Sequence, residues 1–250
     1  YPIIRTDEHG FNNPKGLYIE NKVDIVLIGD SFPEGYSVHS NENISAVLRQ
    51  MEFNAINFGK GGIGPLVELA ILKEYAKPLK PKIVLWLYYT NDFINLKDEM
   101  KSPILKKYLY EDGYSQNLIL RQEEIDDVLI NYVQTEWEKE RERLKIRIIN
   151  ILKLTKLRGI INLKPKPAST PTPIFRDILQ KSKQIVSEWD GKMYFVYLPD
   201  FERYSTGNEH ANRDFVMQTA IEIDIPIIDI HREVFDLHQD PLSLFPIKIS

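Results

Sequence analysis

The run Val23-Asp24-Ile25-Val26-Leu27-Ile28, followed at once by Gly29-Asp30-Ser31-Phe32, constrains this chain more than any other segment. Its aliphatic and β-branched residues have the length and composition of a buried strand, and a glycine-led polar turn ends it. In an open α/β sheet, ligands bind in the crevice beyond the carboxyl ends of the strands. Ser31 falls at such an end and is a candidate nucleophile. The same position also suits a serine that only caps a helix or shapes a turn.

Two later segments repeat the arrangement. Asn57-Phe58-Gly59-Lys60-Gly61-Gly62 follows the short apolar stretch Phe53 to Phe58, and Tyr89-Thr90-Asn91-Asp92 follows the strand candidate Ile83 to Tyr88. The strand ends therefore carry, in order, a serine, a glycine-rich turn and an Asn-Asp pair. Acyl transfer needs a nucleophile and donors aimed at the developing oxyanion; a backbone N–H beside a glycine and a side-chain amide both serve.

The order Gly-Asp-Ser-Phe, Asn-Phe-Gly-Lys-Gly-Gly, Thr-Asn-Asp resembles the first three blocks of the SGNH (GDSL-type) hydrolases, a family of serine esterases, lipases and carbohydrate deacetylases with some acyltransferase relatives. The resemblance implies Ser31 as nucleophile, Gly62 as the glycine whose N–H joins the oxyanion hole, and Asn91 as the asparagine whose amide completes it. It implies no metal and no organic cofactor. Two departures stand out. Tyr89 occupies the place of the glycine in Gly-x-Asn-Asp, beside Asn91. The family's last block, Asp-x-x-His, is absent: the residues three before His9, His39, His210, His231 and His238 are Thr6, Tyr36, Gly207, Ile228 and Phe235. The run Asp240 to Pro246 looks like the lead into the histidine loop of some bacterial SGNH proteins. The expectation is that the catalytic histidine follows Ser250.

Each histidine also has a plainer role. His9 and His210 lie among polar residues and read as solvated loop positions, and His39 follows the serine turn closely enough to line a pocket but reads more readily as surface. His231 opens a helix after the apolar run Ile225 to Ile230, where it could cover the sheet end, and His238 is the fallback base if nothing follows.

Other chemistries find little support. There is no cysteine and no His-Glu-x-x-His, so zinc-type ligand spacing is missing. Gly59 to Gly64 lacks the Gly-Lys-Ser/Thr ending of a phosphate loop, which weighs against a flavodoxin-like nucleotide binder. Pro33 occupies the second glycine position of a Gly-x-Ser-x-Gly elbow. A formal charge of -4 and a pI near 5.8 give no electrostatic case for nucleic acid. No run of about 18 apolar residues is present, so no segment reads as a membrane span. The sequence starts without Met and without a signal-peptide pattern, which reads as a piece lacking an amino-terminal targeting or anchoring segment. The turn-rich stretch Thr6 to Pro14 is similar to a lead-in of membrane-associated bacterial SGNH proteins. That likeness implies a tethered, extracytoplasmic bacterial protein.

With 43% hydrophobic residues over 250 positions, the chain can bury a large core. Strand candidates Met193 to Leu198 and Pro226 to Ile230 alternate with helix candidates Ile174 to Trp189 and Asn212 to Ile223. The expectation is a three-layer α/β/α fold with a mainly parallel central sheet, SGNH/flavodoxin-like, as one domain over 1–250. A helical insertion spans about 100–173. Within it, Gln122 to Arg158 reads as a long helix with i,i+3 pairs Glu136–Lys139, Glu138–Arg141, Glu140–Arg143 and Glu142–Lys145. Trp137, Leu144, Ile148, Ile151 and Leu152 form its apolar side, suited to core packing or a lid. Pro165 to Pro173 reads as an extended connector.

The functional expectation is a serine-dependent carboxylic-ester hydrolase, an esterase or carbohydrate deacetylase, working through an acyl-enzyme on a small-molecule or glycan ester. An O-acyltransferase acting on a polysaccharide, and a carbohydrate- or partner-binding module on the same scaffold, remain as alternatives.

Overall fold

Five segments pair into one sheet in the computed structural model: β1 Ile25–Ile28, β2 Ala55–Asn57, β3 Ile83–Tyr88, β4 Lys192–Tyr197 and β5 Ile227–Asp229. All neighbours are parallel, and the strand order is β2-β1-β3-β4-β5. The structure describes residues 6–18, 22–152, 171–207 and 212–245, without the side chains of 140–152. The expected α/β class with a parallel sheet is what the chain forms.

The order reverses between β1 and β3. The chain leaves β1 for one edge through α1 (Ser31–Glu34) and α2 (Ile44–Gln50), forms β2, then returns through α3 (Pro65–Ile71) to place β3 on the other side of β1. Such a switch point opens a crevice at the carboxyl ends of the flanking strands. Residues Leu72–Ala76 continue α3 as a π-helical turn and Lys77–Leu79 (α4) end it, with Lys80 in the left-handed conformation at the stop. Beyond β3 come α5 (Asp92–Glu99) and α6 (Pro103–Tyr110). The later helices are α8 (Pro173–Ser187), α9 (Phe201–Thr206) and α10 (Arg213–Glu222).

One face of the sheet carries most of the core. Val26, Ile28, Val84, Trp86, Tyr88 and Phe195 pack there against Leu66, Leu69 and Leu72 of the α3 region and Phe175, Ile178 and Leu179 of α8. The opposite face holds a smaller cluster that includes Leu27, Leu87 and Val196. Residues one apart on a strand point to opposite faces, so the continuous apolar runs read from the sequence become a sheet buried on both sides.

The stretch Thr6 to Pro14 was expected as a loop before the first strand, and it closes the β2 edge. The Asn13 side chain accepts from Asn57 N at 2.9 Å and donates to Asn57 O at 2.8 Å, so a side-chain amide completes the ladder that a neighbouring strand would otherwise supply. Asp7 holds this loop by accepting from Asn13, from the Tyr18 hydroxyl and from the amides of His9 and Phe11. His9 is thereby corrected: it is not a solvated residue but partly buried, its ring 4.7 Å edge-on from Tyr18 and 5.5 Å from Tyr75.

The chain divides into two compact units, Tyr1–Gln116 with Ser169–Ser250, and Asn117–Ala168. The second contains a 3-10 turn, Leu118–Arg121, and the long helix α7, Gln122–Leu152. The Glu136–Lys139 pair forms at 2.8 Å; the other three expected pairs lie outside the described side chains. Trp137 is 74% exposed, so it does not pack into a core as the apolar-side reading expected. Leu144, Ile148, Ile151 and Leu152, and the connector through 170, fall outside the described side chains and residues.

Candidate active site

Ser31 is positioned by the end of a fully buried strand. All four β1 residues are buried, and a Cβ on Gly29 would lie 2.8 Å from the Leu87 carbonyl, so only glycine lets the turn pass this close to β3. Asp30 is the N-cap of α1, its carboxylate accepting from Phe32 N at 3.2 Å. The Ser31 hydroxyl, partly exposed, donates to Asp30 Oδ2 over 3.4 Å. Burial pushes the Asp30 carboxyl above its ordinary value; hydrogen bonds from Phe32 N, the Asn91 amide and the Ser31 side chain and backbone oppose that shift.

The glycine-rich loop is tied to this turn through Asn57 and Glu34. Asn57 is buried; its Nδ2 donates to the Pro33 carbonyl and its Oδ1 accepts from Gly59 N at 2.7 Å. A Cβ on Gly59 would overlap the Glu34 backbone nitrogen and sit 2.6 Å from Pro33 Cγ, so the close approach of the two turns requires glycine there. Glu34, nearly buried, accepts from Gly61 N at 2.8 Å and pairs with Lys60 at 3.0 Å. A Cβ on Gly61 would stand 3.6 Å from Ser31 Cβ, which puts this loop directly beside the serine. The Gly61 N–H is occupied by Glu34. Gly62 follows, exposed and at φ +82°, and no hydrogen bond among the described residues takes its N–H.

Asn91 closes the third side. It stands between β3 and α5, and its side chain lies close enough to Asp30 to favour the ionised carboxylate, beside the Ser31 hydroxyl that Asp30 accepts. The Asn91 Oδ1 atom is buried without a hydrogen-bond partner among the described residues. Tyr89, in the place of the expected glycine, lays its ring 4.5 Å from Phe32 and walls the turn that follows Ser31. Ser31 thus lies at the end of β1, Asn91 just past β3, and Gly62 one residue beyond the Gly61 that flanks Ser31.

Two residues of α5 lock this loop to the Asn91 side. Asn95 Nδ2 donates to Ile63 O at 2.6 Å, and Glu99 accepts from Gly64 N at 2.5 Å, Leu66 N at 3.0 Å and Val67 N at 3.4 Å. Glu99 therefore satisfies the open amides at the start of α3, which carries no cap of its own from Gly64. Asn57, Asn95 and Glu99 were not singled out from the sequence. The available signal was Asn57 at the start of the glycine-rich block; Asn95 and Glu99 become partners of the loop only when α5 folds against α3.

None of the described histidines forms a hydrogen bond with Ser31. His39 and His238 are exposed, His238 accepting from Asp240 N at 3.1 Å, and His210 lies outside the described residues. His231, at the end of β5, is 3% exposed; its Nδ1 shares a 2.6 Å hydrogen bond with the Tyr204 hydroxyl, and its Nε2 lies 3.6 Å from Asp236. Burial pulls its imidazole below the ordinary value. A groove of about 710 Å³ runs between α8 and α10 past Arg176 and Phe215, away from Ser31. Among the described residues no group of His, Cys, Asp or Glu has the geometry to hold a metal ion.

No family model matches this chain, and no curated protein matches it. Solved structures do. The crystal structure of TesA matches with 10% identity over 86% of this chain and 83% of its own length, at a TM-score of 0.46. AlinE4, an SGNH-hydrolase family esterase, matches with 13% identity over 87% and 83%, at 0.41. A GDSL-like lipase from Bacteroides thetaiotaomicron VPI-5482 matches with 10% identity over 87% and 73%, at 0.40. These are likenesses in chain path at low identity.

Proposed function

We propose that the chain is a serine-dependent carboxylic-ester hydrolase of the SGNH type, an esterase or carbohydrate deacetylase working through an acyl-enzyme. The observation that carries the reading is the meeting of Ser31, the Gly61-Gly62 loop and Asn91 at the ends of three adjacent parallel strands. Ser31 Oγ attacks the acyl carbonyl while a histidine takes its proton. The carbonyl oxygen gains negative charge and is held by the Gly62 N–H and an Asn91 N–H. Collapse expels the alcohol and leaves the acyl group on Ser31, and water then releases the acid. The Ser31 hydroxyl must exchange its present acceptor, Asp30, for that base, and the 3.4 Å separation marks Asp30 as a weak competitor. The Ser31 N–H, a third candidate donor, also faces Asp30, so it joins the hole only as that contact loosens.

The test is ester turnover with short acyl nitrophenyl esters and acetylated glycans, on residues 1–250 and on the protein as its gene encodes it. Ser31→Ala should abolish turnover in whichever form is active while leaving the circular dichroism spectrum and melting behaviour intact. Unchanged turnover in a folded Ser31→Ala variant would falsify the mechanism. Activity of the encoded protein but not of residues 1–250 points to a base outside that span, and full activity of residues 1–250 points to His231 or His238. Acyl transfer to a sugar hydroxyl in place of hydrolysis would assign the acyltransferase alternative.

A further inference from the structure

Glu68 is the only charged residue between Gly61 and Leu72, and it sits on the inward face of α3 with 0% exposure. Neither of its carboxyl oxygens has a hydrogen-bond partner among the described residues. Asp92, the first residue of α5, is equally buried; its Oδ2 accepts from Tyr89 N at 3.3 Å and its Oδ1 is unpartnered. The two helices pack together, and a Cβ on Gly64, at the start of α3, would lie 3.1 Å from the Asp92 carbonyl.

Among the described residues, the charged groups that act on Glu68 are all acids: Asp30 from the β1–α1 turn, and Asp92 and Glu99 from α5. The other helices packed on α3 bury Tyr108 and Leu109 of α6 and Phe175, Ile178, Leu179 and Ser182 of α8. Among the described residues no cation acts on Glu68, and burial is the leading cause driving both Glu68 and Asp92 well above ordinary carboxyl values, with the charge of Asp92 next for Glu68 and that of Asp30 next for Asp92. An unpaired ionised carboxylate in such surroundings is costly, which favours the neutral acid.

We infer that Glu68 is a neutral carboxylic acid that shares its proton with Asp92, and that this pair is a positioning device for Asn91. The proton leaves one negative charge fewer beneath the turn where Asp30 accepts the Ser31 hydroxyl beside Asn91. With both acids ionised, the repulsion would fall on Asp92, the residue bonded in sequence to Asn91, and would drag the amide from the oxyanion side. The inference about Asn91 rests on the ester-hydrolase reading; the inference about the proton does not.

The full chain and its Glu68→Gln, Glu68→Ala and Asp92→Asn variants decide it. In the infrared difference spectrum of wild type minus Glu68→Gln at pH 7, the carbonyl stretch of an un-ionised carboxyl group should be present, and it should shift in Asp92→Asn. No such band overturns the proton, and an unshifted band overturns the sharing. A group with a raised folded value binds a proton that the unfolded chain has released, so its stabilising effect is complete below about pH 4.5 and fades as pH rises. Wild type should therefore lose stability with rising pH faster than Glu68→Gln, by up to about tenfold in folding equilibrium constant per pH unit for one proton. Equal slopes overturn the proton independently of any ester assay. In the active form, Glu68→Ala should lower kcat with little change in KM, and Glu68→Gln should restore much of it. Loss of kcat in both alike, or in neither, overturns the positioning role. If Glu68→Gln fails to fold, the band and its isotope shift are read in wild type against Asp92→Asn, and absence of the band still overturns the proposal.

Discussion

Asp30 concentrates the site on one carboxylate. It caps α1, receives the Ser31 hydroxyl and lies beside the Asn91 side chain, while Gly61 brings its loop against the serine. Asn91→Ala removes an oxyanion donor, so kcat should fall about a hundredfold to a thousandfold while KM changes much less. Steady-state kinetics separates the two, and an effect confined to KM would make Asn91 a ground-state binding residue. Gly61→Ala places a methyl 2.8 Å from the Glu34 carboxylate and 3.6 Å from Ser31 Cβ. The carboxylate must move, the Glu34–Gly61 bond is lost, and the loop shifts away from the serine. The expected result is a drop in kcat together with destabilisation of about 1–3 kcal/mol, read by urea unfolding.

At the level of elements, the site depends on α5 acting as a strut. Asn91 and Asp92 begin it, Asn95 holds the Ile63 carbonyl, and Glu99 at its end holds the first amides of α3. One short helix thereby fixes the distance between the asparagine and the glycine loop. Glu99→Ala should cost about 0.5–2 kcal/mol, the range for losing a helix cap, and should also lower turnover because the loop beside Gly62 loses its anchor. Glu99→Gln, which keeps an acceptor oxygen, should recover most of both; thermal melts and kcat on the same variants check it. Element positions were largely legible in advance. Ile83 to Tyr88 is strand β3 as read, and Pro173–Ser187 lies within a residue or two of the expected helix, because a strand's apolar run and a helix's period show in local sequence. The roles of Asn57, Asn95 and Glu99 were not legible, since each bonds a backbone group more than 20 residues away or on another element.

Across the whole molecule, the far end of the sheet is organised around ionisable groups too. Arg213 pairs with Asp229 in a nearly buried contact and stacks 5.2 Å over Tyr197, while His231 is sealed beneath Tyr204. Burial favours the neutral imidazole in the folded chain, so the unfolded chain takes up a proton that the native one refuses. Stability from this source is present above about pH 6.5 and is lost as pH falls below it. His231→Gln should flatten the acid-side decline in stability, checked by urea midpoints at pH 7.5 and 5.5; equal declines in both proteins would refute the assignment. The sequence by itself determined the α/β class, the parallel strands and the order serine, glycine loop, asparagine, because these follow from local apolar runs and the turns that end them. Only the tertiary structure decided that the three strand ends lie side by side, that Asp30 accepts the Ser31 hydroxyl beside Asn91, and that Glu68 and Asp92 are both fully buried with carboxyl oxygens lacking partners among the described residues. Those outcomes depend on strand order and helix packing, which bring residues together across distances along the chain that no local pattern encodes.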